Sequence, residues 1–296
     1  NPEALQTARA LDAERRNGTV RGPLHGIPLL IKDNIATLDP LPTTAGSLAL
    51  AKAFHVADAP LVARLRAAGA VILGKTNLSE WANFRSTQSN SGWSAVGGQT
   101  GNAYDSKRNP SGSSSGSATA AALSFAAASI GTETDGSILS PASVNGLVGF
   151  KPSLGVVPGV GIVPLSPRQD VAGPIARTVE EAKLIADVIF DSPRRASART
   201  VARDGNWRVG VVPAAESARA EVSALYQRAI EIWRSCGAVT TLVAAPLYLA
   251  LGVHHWFGPE MSWAMAVFLA VCGGICQGVL FRGRPLSTSG SDGRGA

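Results

Sequence analysis

The sequence predicts an α/β domain built on a largely parallel sheet. Short apolar runs of strand length alternate with amphipathic helical patterns along most of the chain. Glycines close the first two helical patterns, at Gly18 and Gly69. With 45% hydrophobic residues among 296, the chain can bury a sizeable core.

The elements follow in order. PEALQTARALDAERRNG reads as an amphipathic helix, with Leu5, Ala8 and Leu11 at helical spacing. HGIPLLIKDNI holds a short apolar strand running up to Lys32 and Asp33. APLVARLRAAG is a helix, and AVILG directly after it is a buried strand. SGSATAAALSFAAAS is a small-residue helix leading towards an Ala-rich strand, and PASVNGL is a further helical pattern. RTVEEAKLIADVIF is a helix with an acidic first turn after Thr178. RVGVVP, AEVSALYQRAIEIWRSCG and AVTTLVA read as strand, helix and strand. No internal repeat is visible.

GAVILGKT, Gly69 to Thr76, matches the phosphate-binding pattern G-x-x-x-x-G-K-[ST]. That loop needs a strand before its first Gly and a helix starting at the Lys-Thr. Here the first Gly closes a helix, and Ala-Val-Ile-Leu belongs inside a strand. Amides paired in a sheet cannot wrap a phosphate, so the match is accidental.

The net charge of +6 comes from Arg, since only six of the 27 basic residues are Lys. Arg194, Arg195, Arg199, Arg203 and Arg208 lie in a Ser/Ala-rich run without interleaved aromatics, which reads as a solvated linker and not a nucleic-acid arm. Three cysteines, Cys236, Cys272 and Cys276, form no disulfide framework and point away from an oxidising compartment; the expectation is a cytoplasmic location or one the sequence does not settle. Cys272 and Cys276, with His254 and His255 upstream, lack the C-x-x-C turn of a zinc site, and no metal is expected. The chain opens at Asn1 and not Met, inside a helical pattern, so a leader is expected to be missing.

The chemistry concentrates in two motifs. NPSGSSSGSATAAA, Asn109 to Ala122, is a Ser/Gly run feeding straight into a helix. GTETDGSILSP, Gly131 to Pro141, sets Ser137 after a Thr-Asp-Gly turn. A serine nucleophile needs a base. None of the four His lies in either motif, and no Ser stands three residues before a Lys, so the S-x-x-K pattern is absent. A desolvated Lys can serve instead, and Lys32, at the end of IPLLIK, is the candidate. Each residue also has an ordinary reading: Lys32 snorkelling to solvent, Ser113, Ser114 and Ser115 as turn and cap residues, Ser137 as a serine after a turn. Gly112-x-Ser114-x-Gly116 also fits the nucleophile elbow G-x-S-x-G, with His254 or His255 downstream, although RNPSG is a poor strand to lead into it.

Taken together, PSGSSSGSA and GTETDGSILSP, twenty-four residues apart from Ser113 to Ser137, resemble the amidase signature family. HGIPLLIKDNI and LGKTNLSEWANF match its flanking blocks, and SGWSAVGGQTGNAY with ETDGSI looks most like its peptide amidase branch. The resemblance runs from about Asn1 to about Pro246. It implies the amidase-signature fold, a large mixed, mostly parallel sheet flanked by helices. It further implies a Ser–cisSer–Lys triad: Ser137 as nucleophile, Ser113 as relay after a cis Gly112–Ser113 bond, Lys32 as general base. The backbone N–H groups of Thr134, Asp135, Gly136 and Ser137 would form the oxyanion hole. Gly112, Ser114 and Lys75 would be supporting residues, and Asp135 would shape the turn. The implied reaction hydrolyses a small-molecule or peptide amide, a peptide C-terminal amide on this branch, through an acyl-enzyme without cofactor.

Two departures qualify this. The family's usual Arg two residues after the nucleophile is Leu139 here, as in the peptide-amidase-like branch. Residues 247–296 carry no resemblance. Met261 to Phe281 contains no formal charge over a length able to span a bilayer, with Arg282 and Arg284 behind it. Truncation at the C-terminal end is the expectation, with a membrane anchor or an ad hoc core helix as the other readings of this tail. A solvated Lys32 would keep a pKa near 10.4 and be a poor base. A catalytically silent fragment, truncated or membrane-tethered, is therefore the alternative outcome.

Overall fold

The strand that ends in Lys32 lies second from one edge of the main sheet, between two parallel neighbours. The computed structural model describes residues 1–191, 208–211, 220–237 and 239–242. They fall in two compact units, Asn1–Val201 and Ala202–Ala296.

In the first unit, α1 (Ala4–Arg16) precedes β1 (Pro28–Lys32), and α2 (Pro60–Ala67) precedes β2 (Val71–Thr76). Leu11 is the buried residue of α1, whereas Leu5 is exposed. α2 starts with Pro60 in its first turn, where the missing N–H costs no helical bond, and buries Leu61, Val62 and Leu65. Gly69 then adopts φ +89°, a left-handed conformation open to glycine, and the chain turns into β2. GAVILGKT is thus a helix stop followed by a strand.

A short hairpin, β3 (Trp93–Ser94) and β4 (Gly98–Gln99), precedes α3 (Ser115–Ala122) and β5 (Ala128–Glu133). α4 (Leu139–Val144), β6 (Val148–Gly149), β7 (Val171–Ala176) and α5 (Val179–Ile189) complete the unit. The five-stranded sheet has the order β2-β1-β5-β7-β6. β2, β1 and β5 run parallel, and β7 is antiparallel to both β5 and β6. The fold is therefore mixed α/β, with helices beside the parallel strands.

Strand burial follows from position. β5 and β7 are buried at every residue; β7 is an unbroken run of apolar and small side chains, whereas β5 ends in the buried polar pair Thr132 and Glu133. Leu29, Ile31, Ile72 and Ile130 from the sheet meet Leu61, Leu65 and Ile185 from the helices in one core. α5 is anchored by a capping box between Thr178 and Glu181 and turns Ala182, Ile185, Ala186 and Ile189 inward.

The second unit contains β8 (Arg208–Val211), α6 (Ala220–Ser235) and β9 (Val239–Leu242), with β8 and β9 parallel. Residues 247–296, including the apolar stretch 261–281, Cys272, Cys276, His254 and His255, lie outside the described residues, as do Arg194, Arg195, Arg199 and Arg203. Among the described residues no helix is long and apolar enough to cross a membrane.

Candidate active site

β1 carries Lys32 into the protein interior, because β2 and β5 flank the strand on both sides. Lys32 is fully buried. Its Nζ lies 2.8 Å from Ser113 Oγ, 2.9 Å from Thr132 Oγ1 and 3.3 Å from the Thr132 carbonyl oxygen. Burial lowers the pKa to about 7, while the charges of Glu133 and then Asp170 act in the opposite direction. The solvent-snorkelling alternative for this lysine does not describe the fold.

The Ser/Gly run assigns each hydroxyl separately. Ser113, Ser114, Ser115 and Ser117 are all fully buried, and the Gly112–Ser113 peptide is cis. Ser113 faces Lys32. Ser114 Oγ donates to the Thr132 carbonyl at 3.1 Å and accepts from the Thr132 N–H at 3.2 Å. Ser115 Oγ donates to the Ser111 carbonyl at 2.6 Å, and Ser117 Oγ donates to the Ile130 carbonyl at 3.2 Å. Ser114 stands at the N-cap of α3 without a side-chain capping bond. Its hydroxyl instead fastens α3 to β5, which leaves the nucleophile-elbow reading of Ser114 without support.

β5 ends at Glu133 and the chain turns through Thr134, Asp135 and Gly136 to Ser137. Gly136 has φ +89°, which lets the turn close at no steric cost. Ser137 is 9% exposed, and its carbonyl accepts from the Ser114 N–H at 3.1 Å. Among the described residues the Ser137 hydroxyl and the Gly136 and Ser137 N–H groups make no hydrogen bond. These donors therefore stand free at the end of the turn.

Three side chains hold this turn from outside. One oxygen of the buried Glu133 carboxylate accepts from the N–H groups of Ile138 at 2.7 Å and Leu139 at 2.9 Å. Lys151 Nζ donates to the Thr134 carbonyl at 2.7 Å. Thr134 Oγ1 donates to Asp170 Oδ1 at 2.6 Å. Burial pushes the Asp135 carboxyl above its ordinary range, and the neighbouring Glu133 charge adds to this. Asn34 completes the surroundings of Lys32, donating to Thr132 Oγ1 at 2.9 Å.

Lys75 lies one strand away on β2. Its ammonium donates to the Ile35 carbonyl at 2.5 Å and to Thr43 Oγ1 at 2.9 Å, with Asp33 3.9 Å distant, and burial lowers its pKa to about 8. It ties β2 to the segment after β1. His25 is likewise committed to packing: its ring nitrogens face the Leu11 carbonyl and the Arg21 N–H.

A cleft of about 540 Å³ opens beside the turn. Thr132, Glu133 and Thr134 form its polar side, and Leu154, Val160 and Leu165 are part of its apolar wall. Among the described residues no group of three or more His, Cys, Asp or Glu is placed to hold a metal.

The structure thus brings Lys32 and Ser113 into hydrogen-bond contact and sets Ser137 on the adjoining turn. Sequence reasoning missed Asn34, Thr132, Glu133, Lys151 and Asp170. The first three lie inside quoted motifs and could have been found there. Lys151 and Asp170 carry no local signal, because only the fold returns them to the turn.

The Amidase family model matches residues 1–268, and the chain belongs to this family. It is similar to the peptide amidase of Stenotrophomonas maltophilia, with 47% identity, a TM-score of 0.74, and coverage of 82% of this chain and 53% of that one. An amidase family protein of Bacillus anthracis is 36% identical, with a TM-score of 0.72 and coverage of 82% of this chain and 51% of that one. A putative amidase of Arthroderma benhamiae is 51% identical over 189 residues, 64% of this chain and 32% of the relative. The chain spans between 31% and 37% of the first three curated relatives it matches.

Proposed function

We propose that the chain hydrolyses a carboxamide to the acid and ammonia, with Ser137 as nucleophile, Ser113 as relay and Lys32 as general base. The observation that carries this is the 2.8 Å contact between a fully buried Lys32 and Ser113. With its pKa near 7, much of Lys32 is a neutral amine at neutral pH. Neutral Lys32 accepts the Ser113 proton, Ser113 accepts the Ser137 proton, and the Ser137 oxygen bonds to the amide carbon. The carbonyl oxygen becomes an oxyanion facing the N–H groups of the Thr134–Ser137 turn. Lys32 returns its proton through Ser113 to the amide nitrogen, the C–N bond breaks, and ammonia leaves. Water then attacks the acyl-Ser137 ester by the same proton route and releases the acid. No step needs a metal or cofactor.

The substrate class we infer is a peptide C-terminal amide. The likeness to peptide amidase at 47% identity supports this, as does a cleft of about 540 Å³ with an apolar wall beside the polar turn. Covalent labelling with a fluorophosphonate, with the adduct located by peptide mass spectrometry, tests the mechanism. An adduct on Ser137 that is lost in Lys32→Ala and Ser113→Ala is the expected result. An adduct on Ser114, or none in folded protein, overturns it.

A further inference from the structure

Asp170 stands immediately before β7, and its two carboxylate oxygens serve different parts of the molecule. Oδ1 accepts from Thr134 Oγ1 at 2.6 Å. Oδ2 accepts from the N–H groups of Leu165 and Ser166, both at 2.7 Å. The Gln169 and Asp170 N–H groups close the same loop by donating to the Ser166 carbonyl at 2.9 and 2.8 Å. Pro164, Leu165, Pro167 and Asp170 line the cleft, as does Thr134. A single carboxylate therefore joins the cleft's wall to the turn that precedes Ser137.

The acceptor count explains why this position suits an aspartate. Three donors converge on one carboxylate, which has lone pairs for all of them and no hydrogen to oppose them. An amide would turn an N–H₂ towards one set of donors.

We propose that Asp170 is a positioning residue for the reaction at Ser137, fastening the cleft wall to the oxyanion turn. This rests on the Lys32–Ser113–Ser137 reading given above. Misplacing reacting groups by about 1 Å can cost about 10²-fold in rate, so a turn held by hydrogen bonds from outside is kinetically significant. The charge has a separate consequence. Glu133 from β5 and Asp170 from the segment before β7 both favour the ammonium form of Lys32. Of the other charged groups on these segments, Asp33 lies 3.9 Å from Lys75 of β2, Lys151 lies 3.9 Å from Glu133 itself, and Asp135 sits in the turn. Removing the Asp170 charge makes neutral Lys32 easier to form.

The two contributions separate experimentally. Thr134→Val removes the hydroxyl that reaches Asp170 and leaves all charges and the loop bonds in place. Asp170→Asn removes the charge. The readout is the fluorophosphonate labelling rate of Ser137 against pH in the full chain, with circular dichroism to verify folding. Thr134→Val is expected to slow labelling about 10- to 100-fold with an unmoved pH midpoint, and Thr134→Ser to restore it. Asp170→Asn is expected to slow labelling and move the midpoint to lower pH. Wild-type labelling rates in Thr134→Val overturn the inference, as does a folded Asp170→Asn that labels at the wild-type rate. If Asp170→Asn does not fold, the Thr134 pair decides alone. A missing wild-type adduct overturns the triad reading and this inference together, whereas a wild-type adduct with unaffected variants overturns this inference only.

Discussion

Lys32 Nζ and Ser113 Oγ lie 2.8 Å apart across a sequence separation of 81 residues, and neither side chain reaches solvent. One is delivered by a strand and the other by the loop before a helix, so their contact exists only in the assembled sheet. The rate should therefore follow the protonation of Lys32. Amide hydrolysis is expected to rise with pH through about 7, as the neutral amine forms. Lys32→Met is expected to lose about 10²- to 10⁴-fold in kcat/KM, and pH–rate profiles check both.

The same burial has a thermodynamic side. The folded pKa lies near 7, below the ordinary lysine value of about 10.4. Between those values the unfolded chain binds more protons than the folded one, so stability rises with pH across that window. The destabilisation is full below about 7 and gone above about 10.4. Lys75, near 8, acts with the same sign. Thermal melts of Lys32→Met should show a flatter rise between pH 7 and 10; an unchanged slope would contradict the assignment.

Glu133 should matter for both stability and rate. Its carboxylate accepts two backbone N–H bonds from buried surroundings, and bonds to charged groups contribute about 1.5–3 kcal/mol against about 0.5–1.5 for neutral ones. Glu133→Gln is expected to cost about 1–3 kcal/mol in urea unfolding. It should also move the pH midpoint of Ser137 labelling downward, since a charge favouring the Lys32 ammonium is gone.

Gly136→Ala separates conformation from crowding. A Cβ there would meet nothing nearer than Ser140 Cβ at 4.0 Å, so space is available. The cost arises from φ +89° and is about 1–2 kcal/mol. Labelling of Ser137 should fall by more than the stability loss alone explains, because relieving the strain would shift the N–H groups proposed as oxyanion donors. Equal wild-type labelling in a folded variant would count against an oxyanion role for this turn.

Thr178→Ala is a control remote from the chemistry. It removes the side-chain half of the capping box, in which Thr178 Oγ1 accepts from the Glu181 N–H at 3.1 Å. A stability loss of about 1 kcal/mol with unchanged Ser137 labelling is expected from paired melting and kinetic measurements.

Most of the parallel half of the fold was legible in sequence. β1, α2, β2, α3 and α5 follow from apolar runs, helical spacing and glycine stops, all local signals. β7 was not. VAGPIA contains Gly173 and Pro174, which ordinarily argue against an interior strand, and its small residues leave no alternation to read. Pro174 is tolerated because its carbonyl still accepts from the Phe150 N–H at 3.0 Å. Missing β7 also hid the antiparallel half of the sheet. The residues proposed to react lie in paired motifs that the sequence displays, but the clamps on the turn do not, because Lys151 and Asp170 come from segments 17 and 36 residues beyond Thr134.

Lys32 is an ordinary, fully protonated amine in any chain that has not yet closed β2 and β5 around it. Ser113 and Ser137 are then two unremarkable alcohols among many. On the proposed mechanism a nascent or damaged polypeptide would offer no activated serine to its surroundings, and reactivity would arrive only with the assembled sheet. On the proposed mechanism, covalent labelling of this protein would count correctly folded molecules and serve as a clock for its own maturation.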